Sequence, residues 1–140
     1  MIEVAGSALD DIHAHARAET PRECCGMLVG TPARVLRAVR ARNLESGTTR
    51  FLIDPRDHIA ALKWARERQL DVVGFYHSHP RSPAFPSETD VAESGYSGVL
   101  HLIVGGTEPP WSETRMFELG PPEVKELEYV VVNDEPAAEG

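Results

Sequence analysis

Apolar and polar positions alternate along the chain with two different periods, and a helical period appears first. In SALDDIHAHARAET, Leu9, Ile12 and Ala16 recur at the spacing of one helix face. Ser7 can cap the start of this stretch, and Pro21 follows its end. The pattern therefore predicts a first helix here.

DPRDHIAALKWARERQ predicts a second helix. Asp54 is a suitable N-cap, and Pro55 fits the first helical position, where its missing N–H costs nothing. Ile59, Leu62 and Ala65 fall on one side, as in an amphipathic helix that packs on a core. We interpret this helix as structural.

Short apolar or alternating runs, separated by Gly, Pro, Asn and Ser, predict strands with tight connections. In chain order these runs are CCGMLVG, RVLRAVRA, RFLID, DVVGFYHSH, GVLHLIVGG, TRMFEL and VKELEYVVV. SETDVAES predicts a further short helix before GVLHLIVGG. The mixture favours an α/β or α+β fold with one sheet flanked by helices.

The length of 140 residues suits one compact domain, which we place at residues 1–132. The remaining residues 133–140, NDEPAAEG, are predicted to form a polar, disordered tail. A single domain of this size is too small for a TIM barrel or a two-domain enzyme.

The charge balance limits the classes of molecule that the chain is expected to bind. The chain has 14 Lys and Arg against 22 Asp and Glu, a net charge of -8, which disfavours nucleic-acid binding because that binding neutralises phosphates with basic side chains. No apolar run approaches the roughly 20 residues that span a bilayer, and no cleavable leader is recognisable. We expect a cytoplasmic protein, with the adjacent Cys24 and Cys25 as reduced core residues.

His77, His79 and Asp90 are candidate metal ligands, because imidazole nitrogen and carboxylate oxygen are zinc donors. Residues i and i+2 of a strand point to one face, about 6.6 Å apart, so the two histidines can converge on one ion. His13 and His15 have the same spacing within the first predicted helix. There the side chains point about 200° apart and cannot share a metal.

Simpler readings exist for each of these residues. His77 and His79 can be two polar loop residues at a strand end. Ser87 and Asp90 fit a helix-capping box, in which the serine side chain bonds backbone N–H groups. Capping and metal binding can coexist, because three-residue spacing puts both side chains on neighbouring parts of one helix face.

Together these residues resemble a known family. His77, His79, Ser87 and Asp90 reproduce the H-x-H-x7-S-x2-D signature of the JAMM (MPN+) metalloproteases without a gap. The upstream PRECCG is similar to the family's P-x-E-x-C-G context, which places Glu23 at the family's catalytic glutamate. The resemblance covers most of the chain from Pro21 to about Leu119.

The resemblance implies a fold, a metal and a mechanism. The implied fold is a curved mixed sheet of the cytidine-deaminase-like kind. One zinc ion would be held by His77, His79 and Asp90, with a water as fourth ligand. Glu23 would be the general base, and Ser87 would hydrogen-bond the oxyanion of the tetrahedral intermediate.

The resemblance also implies a substrate class, the C-terminal tails of ubiquitin-like or sulfur-carrier proteins. The expected activity is that of a peptidase or isopeptidase acting at or after a C-terminal glycine, because glycine lets an extended backbone approach a metal closely. A non-catalytic interaction module and a hydrolase of small amides are the alternatives. One chain's pattern does not settle the oligomeric state, and a homodimer stays open.

Overall fold

Two helices and eight strands make up the described part of the chain. The structure is a computed structural model and describes residues 1–45, 51–87, 99–106, 113–120 and 123–133. The elements are β1 (Ile2–Ala5), α1 (Gly6–Glu19), β2 (Cys25–Thr31), β3 (Arg34–Ala41), α2 (Pro55–Glu67), β4 (Asp71–Ser78), β5 (Leu100–Gly105), β6 (Glu113–Gly120), β7 (Glu123–Leu127) and β8 (Tyr129–Val132).

The eight strands form one mixed sheet in the order β7-β6-β5-β4-β2-β3-β1-β8. Only Glu128 separates β7 from β8, yet these strands lie at opposite ends of that order. The sheet must therefore curl until its two edges approach each other. A hydrogen bond of 3.0 Å from the Tyr129 hydroxyl to the Thr114 carbonyl oxygen joins β8 to β6 and confirms the predicted curvature.

The two helices cover opposite faces of the sheet, because successive strand residues point to opposite sides. Leu28 of β2 packs in the same core as Ile12 of α1. Its neighbour Met27 packs instead with Ala61 of α2. The predicted α+β domain with flanking helices is thus confirmed, and the face beneath α2 also carries Cys25, which pairs with His77 of β4.

Both predicted helices are present, with corrections to their details. The first begins at Gly6 with Ala5 as N-cap, so Ser7 lies inside the helix and does not cap it. The Asp54 cap is confirmed, since its Oδ1 accepts a 2.9 Å hydrogen bond from the Arg56 N–H. The assignment of Ile59 and Leu62 to a packing face is wrong.

Small side chains explain the misassigned face of α2. Ala61 and Ala65 are the buried residues of this helix, whereas Ile59 and Leu62 are 65% and 43% exposed. Alanine lets the helix backbone lie close to the sheet, so the larger apolar side chains are turned outward. Ile59 and Leu62 are therefore exposed apolar groups that packing of the domain does not explain.

The strand predictions were mostly correct. RFLID is not a strand, because only a single bridge between Asn43 and Ile53 forms there. β1 was not predicted, because its four residues depend on parallel pairing with the distant β3 and β8. The run VKELEYVVV divides into β7 and β8. The predicted helix SETDVAES after Ser87, and the tail after Asn133, lie outside the described residues.

Cys24 and Cys25 are free thiols, as expected, and both are buried. Burial raises the pKa of each thiol to about 12. Neither side chain is therefore a thiolate at neutral pH. Among the described residues, no helix is long and apolar enough to cross a bilayer.

Gly26 is required where β2 passes β4. A Cβ atom there would clash with the Tyr76 ring and would lie 2.5 Å from the carbonyl oxygen of Val39. Gly26→Ala should lower the free energy of unfolding by about 1–3 kcal/mol, the usual cost of overpacking. Chemical denaturation measures this loss. Gly6→Ala, at the start of α1, is the control and should be neutral or stabilising; equal losses would contradict the role of the Tyr76 contact.

Candidate metal centre

His77, His79 and Glu23 meet beneath α2. His77 is the penultimate residue of β4, and His79 directly follows that strand. Glu23 lies two residues before β2, whose first residue Cys25 pairs with His77. One nitrogen from each histidine and one carboxylate oxygen lie within 4.8 Å of one another, and all three residues are buried.

The imidazole rings of His77 and His79 converge through their Nε2 atoms. Nε2 of His77 and Nε2 of His79 are 3.0 Å apart. Two nitrogens bound to one tetrahedral ion at about 2.0–2.1 Å would be about 3.3 Å apart, so this spacing is close to that of a shared metal. The donor set of two imidazoles and a carboxylate fits a first-row divalent ion.

The orientation of His79 is fixed by the loop that follows it. Its Nδ1 lies 2.8 Å from the carbonyl oxygen of Pro83, so Nδ1 carries the hydrogen and donates it. In the neutral ring, Nε2 then presents its lone pair toward His77. A carbonyl on the far nitrogen is the usual support of a metal-binding histidine.

The same loop is anchored to the end of the sheet. The N–H of Gly106 donates to the Ser82 carbonyl oxygen over 2.7 Å, and the N–H of Ala84 donates to Oε1 of Glu113 over 3.0 Å. Gly105 allows this approach, because a Cβ there would lie 2.8 Å from backbone atoms of Ser82 and Ala84. The Pro83 carbonyl is thus held in place for His79.

Phe51 covers His77, a contact that no sequence pattern indicates. The two rings stack with centroids 4.4 Å apart and an angle of 26° between their planes. His77 itself is fully buried. The prediction of a strand at RFLID did not indicate that Phe51 stacks on His77, because strand periodicity does not show which residues an aromatic ring contacts in the folded protein.

The remaining predicted site residues have different outcomes. Ser87 is exposed and ends the described loop, and Asp90 lies outside the described residues. The oxyanion role of Ser87 and the ligand role of Asp90 therefore stay predictions. His13 and His15 do not share a site: Nε2 of His13 lies 3.0 Å from the Thr114 hydroxyl, and Nδ1 of His15 lies 2.7 Å from the Tyr76 hydroxyl.

Comparison with known proteins agrees with the fold. The sequence model for prokaryotic homologues of the JAB domain matches residues 6–118. A desampylase of Haloferax volcanii is 34% identical over 109 residues, which cover 73% of this chain and 78% of that protein. A probable TtuB-protein conjugate cleaving protease of Thermus thermophilus is 32% identical over 133 residues, covering 94% of this chain and 84% of that protein.

A solved structure extends the likeness to three dimensions. The solution structure of a Desulfitobacterium hafniense protein superposes with a TM-score of 0.88 at 30% identity, covering 96% of this chain and 94% of that protein. The chain belongs to the prokaryotic branch of the JAB domain family. The expected class of enzyme, a JAMM-type peptidase, is confirmed by these matches.

If the two histidines bind one metal, replacing either should abolish tight binding. We expect the parent to retain about one zinc per chain after dialysis, and His79→Ala to retain almost none, because a single imidazole cannot replace a converging pair. Elemental analysis of the dialysed protein measures the ratio. His13→Ala is the matched control, since it alters the other H-x-H pair; equal zinc in His79→Ala and the parent would contradict the site.

Proposed function

We propose that this chain is a zinc-dependent peptidase or isopeptidase that hydrolyses the amide bond at or after the C-terminal glycine of a ubiquitin-like or sulfur-carrier protein. The observation that carries the proposal is the convergence of Glu23 with His77 and His79 in one buried cluster. A buried carboxylate beside two imidazoles suits proton transfer next to a metal.

In this proposal His77, His79 and Asp90 hold the ion, and Glu23 stays out of the ligand set. Bound zinc would lower the pKa of a water to about 7, so a carboxylate can accept its proton at neutral pH. Glu23 takes the proton of the attacking water and returns it to the departing amine. Two histidines and an aspartate leave one position of a tetrahedral site open for chemistry.

The surroundings of the cluster support this assignment. His77 is covered by Phe51, and Glu23 is only 4% exposed, so charge in the cluster is poorly screened by solvent. Ser87 lies at the exposed end of the loop that orients His79, and we assign it to hydrogen-bonding of the oxyanion. One such donor contributes about 10² to 10³ in rate.

The relatives support the substrate class. One is named a desampylase and another a protease that cleaves TtuB-protein conjugates. We infer that this chain also acts on a small carrier protein joined through its C-terminus. Release of an amino acid, of a C-terminal extension and of a lysine side chain are three forms of the same amide hydrolysis. The buried, reduced cysteines agree with a cytoplasmic reaction.

The outer face of α2 is a surface where the carrier can dock. Ile59 and Leu62 are exposed there, and Arg56, Lys63 and Arg66 on the same helix are exposed cations. An apolar centre with a charged rim is the usual composition of a protein interface. Leu52 is a further exposed apolar side chain, 53% exposed, and it follows Phe51, which stacks on His77.

Glu23→Gln should retain zinc and lose about 10² to 10⁴ in kcat, because the amide cannot accept the water proton. The assay is release of a C-terminal extension from a ubiquitin-like carrier, with zinc measured on the same samples. Glu19→Gln, at the end of α1, is the control and should keep the parent rate.

Two results would contradict this role. An active Glu23→Gln enzyme would remove Glu23 from proton transfer. A variant that loses zinc in proportion to activity would make Glu23 a ligand instead of the base.

Ile59→Glu should raise KM for a whole carrier protein about tenfold or more and leave kcat unchanged, because it places a charge in the apolar docking surface and changes no residue of the cluster. The same variant should hydrolyse a short peptide with the carrier's C-terminal residues at the parent rate. Ala60→Glu is the control, because it adds the same charge at the neighbouring exposed position of α2 without replacing a large apolar side chain. An unchanged KM for Ile59→Glu would contradict docking at this face.

A further inference from the structure

The peptide unit that joins Glu23 to Cys24 is held at both of its polar groups by side chains. The carbonyl oxygen of Glu23 accepts a 2.9 Å hydrogen bond from Nδ2 of Asn43. The N–H of Cys24 donates a 2.9 Å hydrogen bond to Oγ of Ser78. One rigid, planar peptide is thus fixed from two directions directly after the predicted base.

This peptide lies beyond the regular pairing of the sheet. Pairing of β2 with β4 begins at Cys25, opposite His77. One backbone hydrogen bond extends it, from the Ser78 N–H to the Cys24 carbonyl oxygen over 3.2 Å. Glu23 therefore takes its position from side-chain contacts where the backbone ladder of the sheet has ended.

Ser78 stands between the two histidines and points to the other side of β4. It is 1% exposed, and its hydroxyl reaches Cys24 while the flanking rings of His77 and His79 point toward Glu23. Three consecutive residues at the end of β4, 77–79, thus supply both imidazoles and the hydroxyl that holds the backbone next to Glu23. Any shift of this strand moves all three together.

Asn43 connects Glu23 to the segment that covers His77. Its Oδ1 accepts hydrogen bonds of 2.9 Å from the N–H groups of Glu45 and Leu52. Leu52 follows Phe51, whose ring stacks on His77. A single amide side chain therefore joins the base, the turn after β3 and the aromatic cover of the cluster.

We propose that Ser78 and Asn43 are positioning residues. They hold the Glu23 carboxylate beside His77 and His79, at the place from which it takes the proton of the attacking water. The inference rests on the proposed role of Glu23 as the base. A general base must stay within about 2.6–3.2 Å of the proton donor's heavy atom, so small displacements of the Glu23 backbone lower the rate of the chemical step.

The test compares Ser78→Ala, Asn43→Ala and the double variant with the parent. Ser78→Ala should lower kcat about 10- to 100-fold, with KM and the zinc content at the parent values, since one hydrogen bond to the peptide is lost. Asn43→Ala also loses the hydrogen bonds from the N–H groups of Glu45 and Leu52, so its kcat should fall at least as far, with the zinc content at the parent value. Because both side chains hold the same peptide, the double variant should lose less than the product of the single losses. Amide exchange at Cys24 should be faster in every variant.

A control outside the cluster separates this role from general destabilisation. Asn133→Ala changes the exposed asparagine after β8 and should keep the parent kcat. Ser78→Thr keeps the hydroxyl and should recover most of the kcat that Ser78→Ala loses; it also serves if the alanine variant does not fold.

The outcomes distinguish this inference from the proposed function. If Glu23→Gln is inactive while Asn43→Ala and the Ser78 variants keep the parent kcat, the positioning role is overturned and the base remains. If kcat falls in step with zinc content, both residues support the metal and the inference is also overturned. If Glu23→Gln is fully active, the proposed base is wrong, whatever the other variants show.

Discussion

The register of β2 against β4 is the constraint on which the site depends. Cys25 pairs with His77 across these antiparallel strands, so the chain entering β2 reaches the same end of the sheet as the chain leaving β4. Glu23 and His79 therefore lie close together, although they are 56 positions apart in the sequence. A slip of one residue would turn His77 and His79 toward α1 and remove them from Glu23.

Burial and hydrogen bonding then set the orientation and the surroundings of the two histidines. The Pro83 carbonyl sets the tautomer of His79, and Phe51 covers His77. The carbonyl is available because the loop is tied to the ends of β5 and β6, where Gly105 permits close backbone approach. The geometry of the cluster thus depends on β5 and β6, which contribute none of its three residues but hold the loop that orients His79.

The sequence predicted that His77 and His79 lie together better than it predicted the contacts around them, while the roles of Ser87 and Asp90 stay predictions. Strand periodicity placed His77 and His79 on one face, helix periodicity separated His13 from His15, and the upstream motif identified Glu23. Contacts such as Phe51 on His77 were not predictable, because they join segments brought together only by the folded sheet. Ile59 and Leu62 were misassigned because periodicity finds an apolar side of a helix but does not show that alanines make the close contact.

We propose metal-dependent hydrolysis at the C-terminus of a carrier protein, and the mass of the product is the decisive measurement. Purified protein would be incubated with ubiquitin-like carriers bearing C-terminal extensions, with zinc, with a chelator, and with zinc restored after chelation. We expect a carrier that ends at its terminal glycine, formed with zinc, absent with chelator and restored when the metal is returned. Cleavage that continues in chelator, or hydrolysis confined to small acyl-amino acids, would contradict it.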